Sequence, residues 1–144
     1  MTAYKHVLVA LDLSPESFQV LSRAQEIARC YNAEISLAHV IEPLGYAYGG
    51  DIPMDLTEVQ EHLEKNARQQ MSELVQRAGI NNTQSHILVG RPESEIHRFA
   101  EEHGVDLIVV GSHGRHGLQL LLGSTANATL HGAHCDVLAV RIRD

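Results

Sequence analysis

Short, continuous apolar runs alternate along the chain with longer stretches in which apolar and polar residues are mixed. The first run, residues 7–11 (VLVAL), is followed at once by the acidic residue Asp12. Runs of this length and composition are typical of strands buried on both faces of a parallel sheet. The pattern predicts strands at 7–11, 35–40, 85–89, 106–110 and 136–142.

Between the strands, apolar residues recur at spacings of three and four, which predicts amphipathic helices. Ser14 and Pro15 are expected to open the first helix, Asn32 to end it, Gly79 to end the second and residues 90–92 to start the third. A fourth is expected at 118–132. The predicted buried positions are Phe18, Leu21, Ala24, Ala28 and Tyr31, then Leu56, Val59, Leu63, Ala67, Met71, Leu74 and Ala78, then Ile96, Phe99 and Ala100. Residues 42–54, which contain two prolines and three glycines, are predicted to form a long loop.

Regular alternation of strand and helix predicts an α/β fold with a parallel sheet and helices on both faces. A chain of 144 residues is suited to one domain, spanning 1–144. In open parallel sheets, ligands bind outside the carboxyl ends of the strands, where the strand order reverses. Asp12 ends the first strand, and a glycine-rich segment follows the fourth. We therefore expect these two strands to flank the point of reversal.

The glycine-rich segment, residues 111–125 (GSHGRHGLQLLLGST), has the character of an anion site. Gly111 and Gly114 can adopt positive φ and expose successive N–H groups as a nest for phosphate. Gly123 can begin a helix whose free N–H groups favour an anion. A tight turn without ligand is the alternative for the segment, and for Asp12 the alternative is a cap on the following helix.

Composition excludes several classes of function. The formal charge of −7 argues against nucleic acid as a partner. No apolar run approaches the ~18–20 residues of a membrane span, and no signal peptide is recognisable, so we expect a cytoplasmic protein. Cys30 and Cys135 are expected to be buried, reduced thiols.

Catalytic and metal motifs are weak. His131, His134 and Cys135 form the densest cluster of ligand types, but a zinc site needs three or four convergent ligands and no second cluster matches it, so no metal is predicted. Ser14 lacks a nucleophile elbow, and the chain has no P-loop sequence. We therefore predict no enzymatic activity, with weak nucleotide hydrolysis left open.

The glycine-rich segment, the opening residues 4–17 (YKHVLVALDLSPES) and the closing residues 135–141 (CDVLAVR) resemble the universal stress protein family over the whole chain. The resemblance implies a Rossmann-like domain with strand order 3-2-1-4-5, a homodimer, stress-induced cytoplasmic expression and, in one branch, ATP binding between strands one and four. Mg²⁺ is a candidate companion of the nucleotide.

The family motif transfers residue by residue. Asp12 matches an acid near the ribose, and Val40 matches a residue whose backbone meets the adenine. Gly111 and Gly114 match the turn around the ribose and phosphates, and 123–124 match the Gly-Ser that holds the terminal phosphates. The predicted nucleotide-binding residues are Ala10, Asp12, Val40, Val110, Gly111, His113, Gly114, Arg115, Gly123, Ser124 and Thr125.

One departure keeps two functions open. The ATP-binding pattern has nine residues between Gly114 and the Gly-Ser pair, and this chain has eight, 115–122. The alternative is an interaction protein of the type A branch, which does not bind ATP.

The final strand is expected at a sheet edge, where an apolar strand tends to pair with another chain. We predict an isologous dimer centred on Val137, Leu138, Ala139 and Val140.

Overall fold

A computed structural model describes residues 3–43, 57–80, 84–111 and 134–142. Its strands are β1 (His6–Ala10), β2 (Glu34–Ile41), β3 (Ser85–Val89), β4 (Leu107–Gly111) and β5 (Asp136–Val140). Its helices are α1 (Ser17–Tyr31), α2 (Thr57–Ala78) and α3 (Pro92–Glu102). The predicted helix 118–132 and most of the predicted loop 42–54 lie outside the described residues.

The strands form one five-stranded sheet in the order β3-β2-β1-β4-β5, with every neighbouring pair parallel. In this register Val9 of β1 lies between Leu37 of β2 and Val109 of β4. The side chains of Val7, Leu8 and Val9 are completely buried. The doubly wound α/β fold and its strand order are confirmed.

Helices cover both faces of the sheet, as the alternating pattern predicts. On one face, Leu21 of α1 and Met71 of α2 pack in a cluster with Leu37. On the other face, Ile96 and Phe99 of α3 pack in a second cluster built on β1, β2 and β4. Strands buried on both sides explain why their sequences are continuously apolar rather than alternating.

The start of α1 differs from the prediction. The helix begins at Ser17, because residues 14–16 form a separate turn in which the Ser17 N–H donates to the Ser14 carbonyl at 3.0 Å. Its end is as predicted: Asn32 adopts a left-handed conformation with φ of 53°, and its N–H caps the helix. Gly79, with φ of 73°, follows α2 in the same way.

Two predictions of burial at the end of α1 are wrong. Tyr31 is 46% exposed, and the Cys30 thiol is exposed as well. Tyr31 instead packs edge-to-face on Tyr4, with ring centroids 5.0 Å apart. Ala28 is therefore the last residue of α1 that belongs to the buried core cluster.

The first two turns of α2 also depart from the predicted apolar stripe. Val59 and Leu63 are 44% and 38% exposed. The fully buried residues of this helix begin at Ala67 and continue with Met71 and Val75. Of the predicted stripe, Ala67 and Met71 are buried, Leu74 and Ala78 are half-buried, and Leu56 lies outside the described residues.

Candidate functional site

The strand order reverses between β1 and β4. The chain passes from β1 to β2 and β3 on one side, then crosses to β4 and β5 on the other. Because β1 and β4 are parallel neighbours, their carboxyl ends emerge side by side. The predicted point of reversal is therefore confirmed, and it is the location in this fold at which ligands bind.

The turn from β1 to α1 is held by the Asp12 carboxylate. Its Oδ1 accepts a hydrogen bond from the Ser14 N–H at 3.0 Å and one from the Ser17 hydroxyl at 3.1 Å. Ser17 is only 3% exposed, so this carboxylate satisfies a buried donor. Asp12 is half-buried. The alternative predicted for Asp12, a cap on the following helix, is not what the structure shows: the N-cap position is Glu16, without a side-chain cap hydrogen bond, and Asp12 instead holds the turn that precedes the helix.

Leu13, between these groups, has φ of 60°. A branched side chain rarely adopts this left-handed region, and such residues persist only where the surrounding contacts over-determine them. The turn that carries Asp12 is therefore held in one conformation by its neighbours.

A histidine of β2 also holds this turn. The His39 ring Nδ1 lies 2.8 Å from the Leu11 carbonyl oxygen. A carbonyl can only accept, so Nδ1 carries the hydrogen and donates it. His39 is half-buried, and this bond connects its ring to the main chain that leads into the turn.

Three of the predicted nucleotide-binding residues, Ala10, Val40 and Val110, lie near the carboxyl ends of β1, β2 and β4. These three residues are 4%, 7% and 0% exposed and belong to one core cluster. The other predicted residues on the glycine-rich segment, His113, Gly114, Arg115, Gly123, Ser124 and Thr125, lie outside the described residues.

Gly111 corrects one expectation. It is the last residue of β4 and does not have positive φ, so it is not a turn glycine. A Cβ atom at this position would lie 3.1 Å from a methyl of Val20 and 3.4 Å from Ile142. Gly111 therefore lies where α1 and the segment after β5 pack closely against the end of β4, and a larger residue there would need Val20 to shift slightly.

Gly90, at the carboxyl end of β3, has a φ of 149°, and its N–H donates to the Ile41 carbonyl at 3.0 Å. A Cβ there would lie 2.8 Å from Cγ of Glu95. This glycine lets the chain leave β3 and enter α3 beside the end of β2.

The amino ends of the strands carry a different set of polar groups. The Asp106 carboxylate accepts the N–H groups of Lys5 and His6 at 2.9 and 3.1 Å. The ring of His86 lies 4.8 Å from that of Phe99. Burial lowers the pKa of His86, and the neighbouring His103 and His6 lower it further.

The described residues contain neither a metal-binding cluster nor a membrane-spanning helix. Across 3–43, 57–80, 84–111 and 134–142, no group of three or more His, Cys, Asp and Glu side chains is placed to hold a metal ion. His134 instead pairs with Glu101 at 2.8 Å, and His131 lies outside those ranges. Among the same residues, no helix combines the length and apolar character needed to cross a membrane.

The sequence matches a known family over nearly its full length. The model of the universal stress protein family covers residues 3–141. Universal stress protein A homolog 1 of Coxiella burnetii is 45% identical over 143 residues, which span 98% of this chain and 99% of that protein. Universal stress protein A of Salmonella typhi is 34% identical over 142 residues, spanning 99% and 97%.

The chain belongs to the universal stress protein family. The names of this family and of these relatives carry no enzymatic activity, which agrees with the prediction of a non-enzymatic protein.

Solved universal stress proteins share the fold. Universal stress protein UspA from Lactobacillus plantarum has a TM-score of 0.70 at 22% identity, over 99% of this chain and 100% of that chain. A universal stress protein in complex with cAMP has a TM-score of 0.61 at 25% identity, over 97% and 98%.

Sequence reasoning missed two residues at the site of this universal stress protein. The buried Ser17 hydroxyl and the positive φ of Leu13 carry no sequence signal, because serine and leucine are ordinary residues near a helix start. The carboxylate of Asp12 directly after an apolar strand was the one local sign that this turn is specialised.

Proposed function

We propose that this universal stress protein is a regulatory homodimer in the cytoplasm that binds ATP or a related adenine nucleotide and supports stress resistance. The observation that carries the proposal is the reversal of strand order between β1 and β4. Asp12 follows β1, Gly111 ends β4, and the predicted phosphate-binding segment continues directly from Gly111.

The position of Val40 near the carboxyl end of β2 supports the same proposal. Val40 is the last residue but one of β2, the neighbour of β1, and its main chain carries one donor and one acceptor. An adenine ring needs contacts of this kind. The related structure in complex with cAMP supports an adenine nucleotide as the ligand class.

Isothermal titration calorimetry with ATP, ADP, AMP and cAMP, with and without Mg²⁺, tests the ligand. We expect heat of binding with the wild-type protein and none with Gly114→Val, which puts a branched side chain where the phosphates should pass. The unfolding temperature of each protein without nucleotide is the control for folding. Absence of binding by the wild-type protein at millimolar nucleotide would refute the proposal.

A second candidate is a type A protein that acts through its surface without nucleotide. It is favoured by the 45% identity to a universal stress protein A homolog and by the eight residues that separate Gly114 from Gly123. The calorimetric experiment separates the two candidates. A phosphate-release rate equal to that of an Asp12→Ala, Ser124→Ala double variant would remove weak hydrolysis from consideration.

The proposed dimer rests on β5, which pairs with β4 on one side and forms an edge of the sheet. Val137, Leu138 and Val140 are half-buried and Ala139 is exposed. A groove of about 700 Å³ continues from this strand onto α1, lined by Phe18, Gln19, Ser22, Arg23, Glu26, Leu138, Ala139, Val140 and Arg141. An apolar edge beside an open groove is a surface suited to a second copy of the chain.

Ala139→Glu tests the dimer without placing a charge in the core of one chain, since Ala139 is exposed. Val89→Glu is the matched control, because Val89 is 43% exposed on β3 at the opposite edge. Light scattering coupled to size-exclusion chromatography should give the dimer mass for the wild type and for the control, and the monomer mass for Ala139→Glu. A dimer in all three proteins would show that β5 is not the interface.

The cytoplasmic location has separate support. Cys30 and Cys135 are both free thiols in the structure. Unpaired cysteines are normal in a reducing compartment.

A further inference from the structure

The bond between the His39 side chain and the main chain of β1 joins two elements at the candidate site. The backbone ladder between β1 and β2 pairs Ala10 with Ala38, and the Leu11 N–H extends it to the Ala38 carbonyl at 2.9 Å. The next carbonyl along the chain, that of Leu11, receives the His39 Nδ1–H at 2.8 Å. Leu11 is 2% exposed, so this acceptor lies in a buried residue.

This contact is followed directly by the specialised turn. Asp12 accepts the hydrogen bonds of Ser14 and Ser17, and Leu13 lies between them at φ of 60°. Two sets of contacts thus bracket Leu13: the His39 bond before it and the Asp12 bonds across it. A left-handed leucine requires such over-determination.

We infer that His39 is a positioning residue for the nucleotide site. Its Nδ1–H holds the Leu11 carbonyl and so sets the direction in which Asp12 leaves the sheet. The inference rests on the proposed function, because the turn matters for binding only if a nucleotide meets Asp12. His39 acts through the main chain of β1.

The chemistry of the bond allows a conservative replacement. Asparagine carries an amide nitrogen the same number of bonds from Cβ as the imidazole Nδ1, so His39→Asn can keep the donor, and His39→Ala removes it. Ile35→Val is a matched control, since Ile35 is a buried residue on the same strand and the same face, four residues toward its amino end. This control perturbs β2 without touching the turn.

The first measurement is calorimetric titration of the four proteins with ATP. We expect His39→Ala to weaken ATP binding about tenfold or more, and His39→Asn and Ile35→Val to remain within about threefold of the wild type. ATP affinity in His39→Ala equal to that of the wild type, or reduced no more than in Ile35→Val, would overturn the inference.

The second measurement does not depend on ATP. Backbone chemical shifts of Leu13 report its positive φ, hydrogen exchange at the Ser14 amide reports the bond to Asp12, and imidazole ¹⁵N shifts of the wild type report hydrogen at Nδ1 of His39. In His39→Ala we expect the Leu13 shifts to change and the Ser14 amide to exchange faster, and in His39→Asn both should stay near wild type. An unchanged turn in His39→Ala would refute the positioning role.

The two measurements separate the inference from the function on which it rests. If the wild-type protein binds no nucleotide, the proposed function fails at the first titration, and no variant is needed to show it. If the wild type binds ATP and His39→Ala binds equally well with an unchanged turn, the function stands and the positioning role fails.

Discussion

Substitution of Asp12 should separate its contribution to the fold from its contribution to a ligand. Asp12→Ala removes the carboxylate that accepts hydrogen bonds from the Ser14 N–H and from the buried Ser17 hydroxyl. Hydrogen bonds to a charged group contribute about 1.5–3 kcal/mol each when buried, and Asp12 is half-exposed, so we expect a loss of about 2 kcal/mol in total. In a domain of this size that corresponds to roughly 6 °C in unfolding temperature.

Asp12→Asn keeps an oxygen acceptor and loses only the charge, so its expected cost is below about 1 kcal/mol. Ser17→Ala removes one of the two bonds and should cost about 1 kcal/mol, since the acceptor then remains partly hydrated.

Urea denaturation followed by circular dichroism measures the free energy of unfolding of all three variants. Unchanged m-values would show that the substitutions leave the surface exposed on unfolding the same. The expected order of stability is wild type, then Asp12→Asn, then Asp12→Ala. Equal stability of Asp12→Ala and Asp12→Asn would refute the role assigned to the carboxylate in the turn. ATP affinity measured in the stable Asp12→Asn variant then reports the ligand role alone.

The remaining predictions concern other parts of the fold. Gly90→Ala should lower the free energy of unfolding by about 2–4 kcal/mol, because it combines a strained backbone with a clash. Gly104→Ala should cost about 1 kcal/mol, because Gly104 has φ of 65° but open space around it. Equal costs in urea denaturation would contradict this. Because the pKa of His86 is lowered in the folded protein, the unfolded chain binds more protons near pH 6, and the free energy of unfolding should fall as pH drops below about 6.5. His86→Gln should reduce this dependence of the free energy of unfolding on pH. An unchanged pH dependence in the variant would exclude His86 as its source. Cys30 should react with a thiol reagent much faster than Cys135, whose pKa burial raises to about 11; equal rates would show that exposure and pKa do not control reactivity here.

Much of the architecture follows from local sequence. The apolar run that became β1 predicted a strand covered on both faces, and the structure buries Val7, Leu8 and Val9 completely. Asn32 and Gly79 end two helices at the predicted positions, because both residue types adopt the left-handed conformation that terminates a helix. These features could be read in advance because they depend on residues adjacent in the chain.

Other features could not be read in this way. The exposure of Tyr31 and Val59 depends on where the sheet ends beneath α1 and α2, and a periodic pattern carries no information about the extent of its partner surface. Gly111 was expected to be a turn glycine. It is instead the last residue of β4 and packs closely against Val20 and Ile142, which are distant in sequence.

At the candidate site the same division holds. By itself, the sequence determined that Asp12 and the glycine-rich segment follow two apolar strands, because strand periodicity and turn composition are properties of consecutive residues. The chemistry at their ends also predicted that these strands flank the reversal of strand order, and the sheet confirms it. Only the tertiary structure decided that the His39 ring meets the Leu11 carbonyl and that Leu13 is held at positive φ. The physical reason is that each of these depends on sheet order and register, which are set by packing between segments and not by any one of them.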